Sequence, residues 1–433
     1  MIDGRPAQVR PAGRRGAGHP GGADGSSWTR RHGGLVGLLA VCLAGCASSM
    51  RKGPTQHAAA SAPATSASEG EPEAASRPPA ARSPEEAIAA ADAAFEDGDL
   101  PRAVAVLSGL LARPGLAPRQ RADALWRLSE IYEALRDCRA VVRTLGRFLD
   151  AASDDVRRTQ AWMRKGACEA EIGDFAASRE AYARAREEGG ERLGPAARIE
   201  TYAREGYAAF EMGDLERAEK VLAEGDAYAA EILESTRLDD YYFVGMIRFY
   251  RGAIWHVRFR QVTIRSRRRD MARDFNTKME YLAKAQAFYR EAVRAKHMFW
   301  VSAAGYQMGQ LFAEFYDAIM YAPVPNWLSA RQREIYYEEL RKQLRPALEK
   351  AIWVFEKTVE TARRLGYTSP FVERAEAKLA HLRAVVVAGQ GRLGEPDPHL
   401  VPEIARPIAP AEPGGEDRGP LERALHVPRP TPL

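Results

Sequence analysis

Few residues in this chain are spaced to do chemistry. Gly389-Gln-Gly391-Arg-Leu-Gly394 has the glycine spacing of a loop that cradles a pyrophosphate. It follows a helical pattern rather than a strand, and Pro396 and Pro398 forbid the helix whose N-terminus would hold the phosphates. The segment therefore reads as a helix-terminating loop. The histidines of the central region, His256, His297 and His381, lack a second ligand at helical spacing and read as packed or exposed side chains, not metal ligands. No His-Glu-x-x-His, P-loop lysine or Cys-x-x-Cys occurs. Glutamates are numerous, but nothing marks one pair as acid and base. The expectation is a chain that is not an enzyme and takes no cofactor or metal.

One cysteine has a different chemistry. Residues 1–32 carry Arg5, Arg10, Arg14, Arg15, Arg30 and Arg31 against Asp3 and Asp24. A short apolar run follows from Gly33 to Gly45, and then Cys46. Positive charge, a short apolar core and a small-residue cleavage site describe an export signal, and the core is too short to span a bilayer. Leu43-Ala-Gly-Cys46 resembles the lipobox of bacterial lipoproteins. The resemblance implies cleavage before Cys46, acylation of that residue and a membrane hold through buried methylenes. A residue other than Asp at position 47 implies, by the same resemblance, an outer-membrane lipoprotein facing the periplasm.

Length and composition frame what must position any site. The 433 residues would make roughly two or three average domains. The hydrophobic share of 45% and charged share of 28% argue against a wholly disordered chain. Residues 46–82 are rich in Ala, Ser, Pro and Thr and hold almost no large apolar side chain, so they read as a disordered tether. Residues 389–433 read as a disordered Pro-rich tail. The stretch between them is rich in Ala, Glu, Arg and Leu, with apolar residues recurring at three and four. That is an all-α signature. Prolines sit where helices start, as at Pro84, Pro195 and Pro370.

Internal repeats set the architecture. Gly98-Asp99, Gly173-Asp174 and Gly213-Asp214 are each followed by an apolar residue, a small one (Ala103, Ser178, Ala218) and a large one (Leu107, Tyr182, Leu222). Arg136-Asp137-Cys138 occupies the same place in a further unit. Upstream, the third unit gives Trp162 and Gly166, and the fourth Tyr202, Gly206 and Phe210. This resembles the tetratricopeptide repeat (TPR) family, and implies an α-solenoid of antiparallel helix pairs. Small residues at 166, 206, 178 and 218 let two helices approach; large ones at 162, 202, 182 and 222 fill the space between pairs. The turn spacing of 38, 37 and 40 departs from the family's usual 34, so the helices or their connections are longer.

Four TPR-like repeats are expected over 83–236 and a degenerate helical region over 237–388. Its fifth unit has a second helix at Ala285, Tyr289 and Ala292. Its sixth has a first helix at Gly305, Met308-Gly309 and Phe312, a partner at Ala351-Ile352 and Phe355, and a capping helix from Ser369-Pro370. A fused non-repeat helical domain at 237–388 is the alternative. Segment 321–383, with Tyr321-Ala-Pro323-Val-Pro325, Tyr336, Leu340 and Gly366-Tyr367, is similar to the C-terminal region of TPR proteins of gliding-motility and other envelope machineries.

The TPR register implies partner-binding positions on the concave face at Trp126, Glu130, Tyr207 and Phe210. Seven arginines lie between Arg258 and Arg273 against one acid. Within them Arg265, Arg267, Arg268 and Arg269 form a candidate patch for an anionic partner; the other reading is a solvated loop or helix extension. Cys138 and Cys168 stand in neighbouring repeats and are either a disulfide formed after export or two buried thiols.

The expected function is a protein–protein interaction scaffold in an envelope machinery, held to the outer membrane. The alternative is a small-molecule-binding lipoprotein serving a transporter, with Tyr241, Tyr242, Phe243, Phe249, Tyr250, Trp255 and Phe259 lining a pocket. The net charge of +5 does not argue for nucleic acid. Six arginines and two aspartates fall within residues 1–45, and the remainder carries 57 basic against 56 acidic residues.

Overall fold

In the computed structural model the chain divides into two units, Met1–Ala75 and Ser76–Leu433. The described residues are 83–389 apart from 325–326, all in the second unit. The signal, the tether, Cys46 and the tail from residue 390 on lie outside them.

Among the described residues the secondary structure is helical, without strands. Thirteen α-helices pair in order: α1 (Pro84–Glu96) with α2 (Leu100–Leu111), α3 (Pro118–Ala134) with α4 (Cys138–Ala151), and α5 (Arg158–Glu171) with α6 (Phe175–Gly189). Then come α7 (Pro195–Glu211) with α8 (Leu215–Ser235), α9 (Tyr242–Gln261) with α10 (Arg268–Arg294), and α11 (Met298–Met320) with α12 (Ala330–Leu365). The last helix, α13 (Pro370–Gly389), packs on α11 and α12. Each second helix also packs against the first helix of the next unit. This is the α-solenoid of TPR-like pairs that the resemblance implies.

The turns explain why Gly-Asp recurs. Gly98, Gly173 and Gly213 have φ of 78°, 86° and 79°, a region open to glycine without penalty. The next N–H closes a six-residue ring onto the first helix: Asp99 donates to the Ala94 carbonyl (2.8 Å), Asp174 to Glu169 (2.8 Å) and Asp214 to Ala209 (3.0 Å). The same aspartates then cap the second helix, accepting from the N–H of Arg102, Ala177 and Arg217 at 3.0–3.1 Å. Asp137 does the same for Ala140 (2.9 Å), although Arg136 holds the left-handed position at φ 55°. One dipeptide thus ends one helix and starts the next.

Small-against-large packing fixes the distance within pairs. A Cβ on Gly166 would lie 3.0 Å from the Tyr182 ring, and one on Gly206 would overlap the Leu222 side chain. The apolar interior forms two clusters, one from Ala87 to Cys168 and one from Ile199 to Leu382. The junction between the third and fourth units is partly polar. Glu205, fully buried, there accepts from Arg186 of α6 and from Arg217 of α8 (2.8 Å).

Candidate functional site

The first helices of the units carry the positions from which a TPR-like array would contact a partner. In the second unit, Trp126 is 8% exposed. Its ring packs on Phe148 at 5.4 Å, and the guanidinium groups of Arg164 and Arg157 lie 4.5 and 5.3 Å from its centroid. Arg164 belongs to the next unit. It is held by Glu133 (2.6 Å) and by the Ser129 hydroxyl (3.0 Å). The third unit therefore covers Trp126 with a cation–π contact. Glu130 keeps partial exposure and accepts from Arg127 at 3.0 Å.

In the fourth unit the concave expectation fails. Tyr207 is 4% and Phe210 0% exposed, and both rings pack on Tyr250 of α9 at 5.1 and 5.2 Å. The physical reason is direct packing of successive first helices: α7 meets α9, α9 meets α11, and α11 meets α13. Gly245 permits the second of these approaches, since a Cβ there would lie 2.7 Å from the Trp300 ring. Trp126, Tyr207 and Phe210 are therefore core residues. Of the four predicted binding positions only Glu130 reaches solvent.

Of the seven aromatic residues read as lining a pocket, three belong to the core, while Tyr241, Tyr242, Phe243 and Trp255 are half-buried. Phe249, Tyr250 and Phe259 are at most 1% exposed. Phe249 and Tyr250 stack on each other and on Trp300 at 5.1–6.0 Å. They form a ring-on-ring core.

A buried polar cluster links the fifth and sixth units. Glu314 of α11 is fully buried and accepts from Arg260 Nε and Nη2, each at 2.7 Å. His256 lies one turn before Arg260, with Nε2 3.0 Å from Glu314 and Nδ1 3.2 Å from the Tyr289 hydroxyl. Lys278 of α10 donates to the Phe259 carbonyl at 2.6 Å. Arg260 and His256 hold the Glu314 carboxyl far below the usual carboxylate range despite its burial. Burial pushes the His256 imidazole down, and pushes the Lys278 ammonium down to about 8. One turn beyond Glu314, burial with the nearby Glu314 charge pushes the Asp317 carboxyl up to about 7. The cluster holds charge across a helix–helix contact, with His256 and Glu314 both fully buried. Among the described residues no group of three or more His, Cys, Asp or Glu is placed to hold a metal ion.

Of the four arginines of the predicted patch, one is paired within the fold. Arg265 is not a free cation: it forms a two-pronged pair with Asp274 (2.7 and 2.6 Å). Arg258 pairs with Glu219, Arg260 with Glu314, and Arg273 with Asp270 at 3.1 Å. Arg267 and Arg269 remain exposed at the start of α10, and the side chain of Arg268 lies outside the described residues. Charge counting over residues 258–273 missed Asp274, one residue beyond, and the acids supplied by α8 and α11.

Cys138 and Cys168 form a disulfide, with Cα atoms 4.9 Å apart. It joins the start of α4 to α5, across the contact between the second and third units.

One exposed feature went unremarked in the sequence. Leu135, Ile172 and Met212 each stand immediately before the turn residue and are 44%, 41% and 43% exposed. Three successive units thus present one large apolar side chain at the same edge. The signal was in the alignment of the turns, one residue upstream of the Gly-Asp pair.

No protein family and no curated protein matches the chain. Among solved structures it is similar to the C-terminal part of a TPR repeat-containing protein from Cytophaga hutchinsonii, with 12% identity and a TM-score of 0.35 over 70% of this chain and 100% of that one. It is also similar to a tetratricopeptide repeat protein from Parabacteroides merdae (13% identity, TM-score 0.33, 69% of this chain and 98% of that one). MamA gives 13% identity and a TM-score of 0.32 over 49% of this chain and 91% of that one.

Proposed function

We propose that this chain is an exported, lipid-anchored helical scaffold that holds protein partners in the cell envelope. The row Leu135, Ile172 and Met212 carries the scaffold part of the reading. A large apolar side chain left exposed once per unit, in register along one edge, is a surface a partner segment can cover. The Cys138–Cys168 disulfide supports export, because such bonds persist in oxidising compartments. The Leu43-Ala-Gly-Cys46 sequence supports the anchor, with the membrane as the plane that concentrates the scaffold near its clients.

The test has two arms. Intact-mass analysis of the chain from native membranes should give a protein beginning at Cys46 and carrying acyl mass; an unmodified Cys46 refutes the anchor. Crosslinked membranes should yield a defined envelope protein with the parent chain, and the triple variant L135D/I172D/M212D should lose it. Equal recovery by both chains refutes the partner surface.

A further inference from the structure

The second helices of the first four units expose side chains at three matching places, two, six and ten residues after the capping aspartate. They are Pro101, Ala105 and Gly109 in α2, then Arg139, Arg143 and Arg147 in α4. In α6 they are Ala176, Glu180 and Arg184, and in α8 Glu216, Lys220 and Glu224. The third and fourth units mix the signs, and Arg184 lies 4.0 Å from Glu180. The second unit carries three arginines on one helix face, and exposed Arg136 in the turn adds a fourth. Like charges four residues apart repel. Among the described residues no carboxylate forms an ion pair with any of the four. Asp150 is the one acid of α4, and Asp137 is engaged in capping Ala140. The arginines at 258, 260, 265 and 273, by contrast, all found acids.

The surroundings leave this ridge open. At the matching places of the preceding unit no side chain is longer than that of proline, and a Cβ on Gly109 or Gly146 would meet nothing within 4 Å. Arg139, Arg143 and Arg147 follow one another at successive turns over about 12 Å of one exposed helix face. Each can grip phosphate with two parallel N–H donors.

We propose that Arg136, Arg139, Arg143 and Arg147 dock the second unit onto the anionic phospholipid headgroups of the membrane. An exposed row of like charge suits a flat polyanionic surface better than a folded acidic protein. In sequence, the ridge stands in the second of the units that follow Cys46, since α1 begins at Pro84. This inference rests on the anchored reading for its setting: an anchor in the same surface raises the local concentration of headgroups around the ridge. The anchor then sets the distance, and the ridge sets which face the array turns to the bilayer.

The experiment uses the processed chain, residues 46–433, with Cys46→Ser so that no acyl chain contributes. Flotation with phosphatidylglycerol-containing vesicles at low salt should recover the protein, and pure phosphatidylcholine vesicles should not. High salt should release it, as expected for exposed charges. The triple variant R139Q/R143Q/R147Q should bind phosphatidylglycerol vesicles on the order of 100-fold more weakly, since each basic residue near such a surface is worth about fivefold. R184Q should bind as the parent does. Circular dichroism should show that both variants are folded. Equal binding to both vesicle types, or parent-like binding by the triple variant, overturns the proposal. So does a co-purifying acidic protein that the triple variant loses while its vesicle binding is unchanged. Acylation of native Cys46 is read separately by mass, so loss of the anchor and loss of the ridge are told apart.

Discussion

Replacing Glu314 with Gln takes from Arg260 its buried carboxylate partner. The carboxylate is fully buried and takes both inward-facing guanidinium donors of Arg260 at 2.7 Å. Gln keeps the shape and removes the charge, leaving a buried cation with Lys278 close behind. Breaking a buried pair on one side costs about 3–5 kcal/mol, a large share of the roughly 5–15 kcal/mol that holds a domain. In a repeat array each unit touches only its neighbours, so the loss should concentrate in the fifth and sixth units. Hydrogen exchange read by mass spectrometry resolves this. Amides of α9 and α11 should exchange roughly 100- to 4000-fold faster, while those of α3 and α5 keep their protection. The double variant Arg260→Met with Glu314→Leu should recover most of the protection, because an apolar pair of similar volume replaces the buried ions. The pH dependence has a defined sign. The folded pKa of Glu314 is depressed, so its stabilisation is present above the unfolded value near 4.5 and is lost only as pH falls through the still lower folded value. Acidifying from neutral to about pH 5 should therefore leave this contribution intact. Unchanged exchange in α9 and α11, or equal acceleration throughout the array, would refute the reasoning.

Three further outcomes follow from the same structure. Asp317, pushed up to about 7 from 3.8, should make the parent chain gain stability as pH falls from 7 towards 4, by a few kcal/mol at most; thermal melts of Asp317→Asn should be flatter over that range. The variant C138S/C168S releases a crosslink across 30 residues and should lose roughly 3–4 kcal/mol, with the loss of protection confined to the second and third units in the same exchange assay. Gly206→Ala should destabilise by about 1–3 kcal/mol in denaturant titrations, because its Cβ would overlap Leu222, and the double variant with Leu222→Ala should lose less than the sum of the two single variants, because the shortened side chain removes the overlap.

The helix pairs were legible because one dipeptide does two jobs. A glycine that tolerates positive φ and an aspartate that caps the next helix must be adjacent, so Gly98-Asp99, Gly173-Asp174 and Gly213-Asp214 mark three turns without any three-dimensional information. Arg136 was recognisable only through Asp137 and the spacing. The close approach of α5 to α6 and of α7 to α8 was legible in the same way, from Gly166 opposite Tyr182 and Gly206 opposite Leu222. The fate of the concave face was not. Whether Tyr207 and Phe210 meet solvent depends on how tightly α9 closes on α7, a contact between helices one unit apart that no local pattern encodes. Buried ion pairs were hidden for a related reason. Glu314 and His256 are 58 residues apart, and nothing in either neighbourhood names the other. The arginine run around residue 265 misled because charge was counted only between residues 258 and 273: Asp274 stands just beyond it, and Glu219 and Glu314 arrive from other helices.

The central claim is that the edge marked by Leu135, Ile172 and Met212 is covered by a partner in the envelope. Photo-crosslinking in living cells tests it most directly, with a photoreactive residue placed at 172 and, as a control, at Lys220 on the solvent face of α8. The account predicts one discrete adduct from position 172, the same adduct from 135 and 212, and none from 220. An absence of adducts from all three edge positions, or the same adducts from position 220, would contradict it.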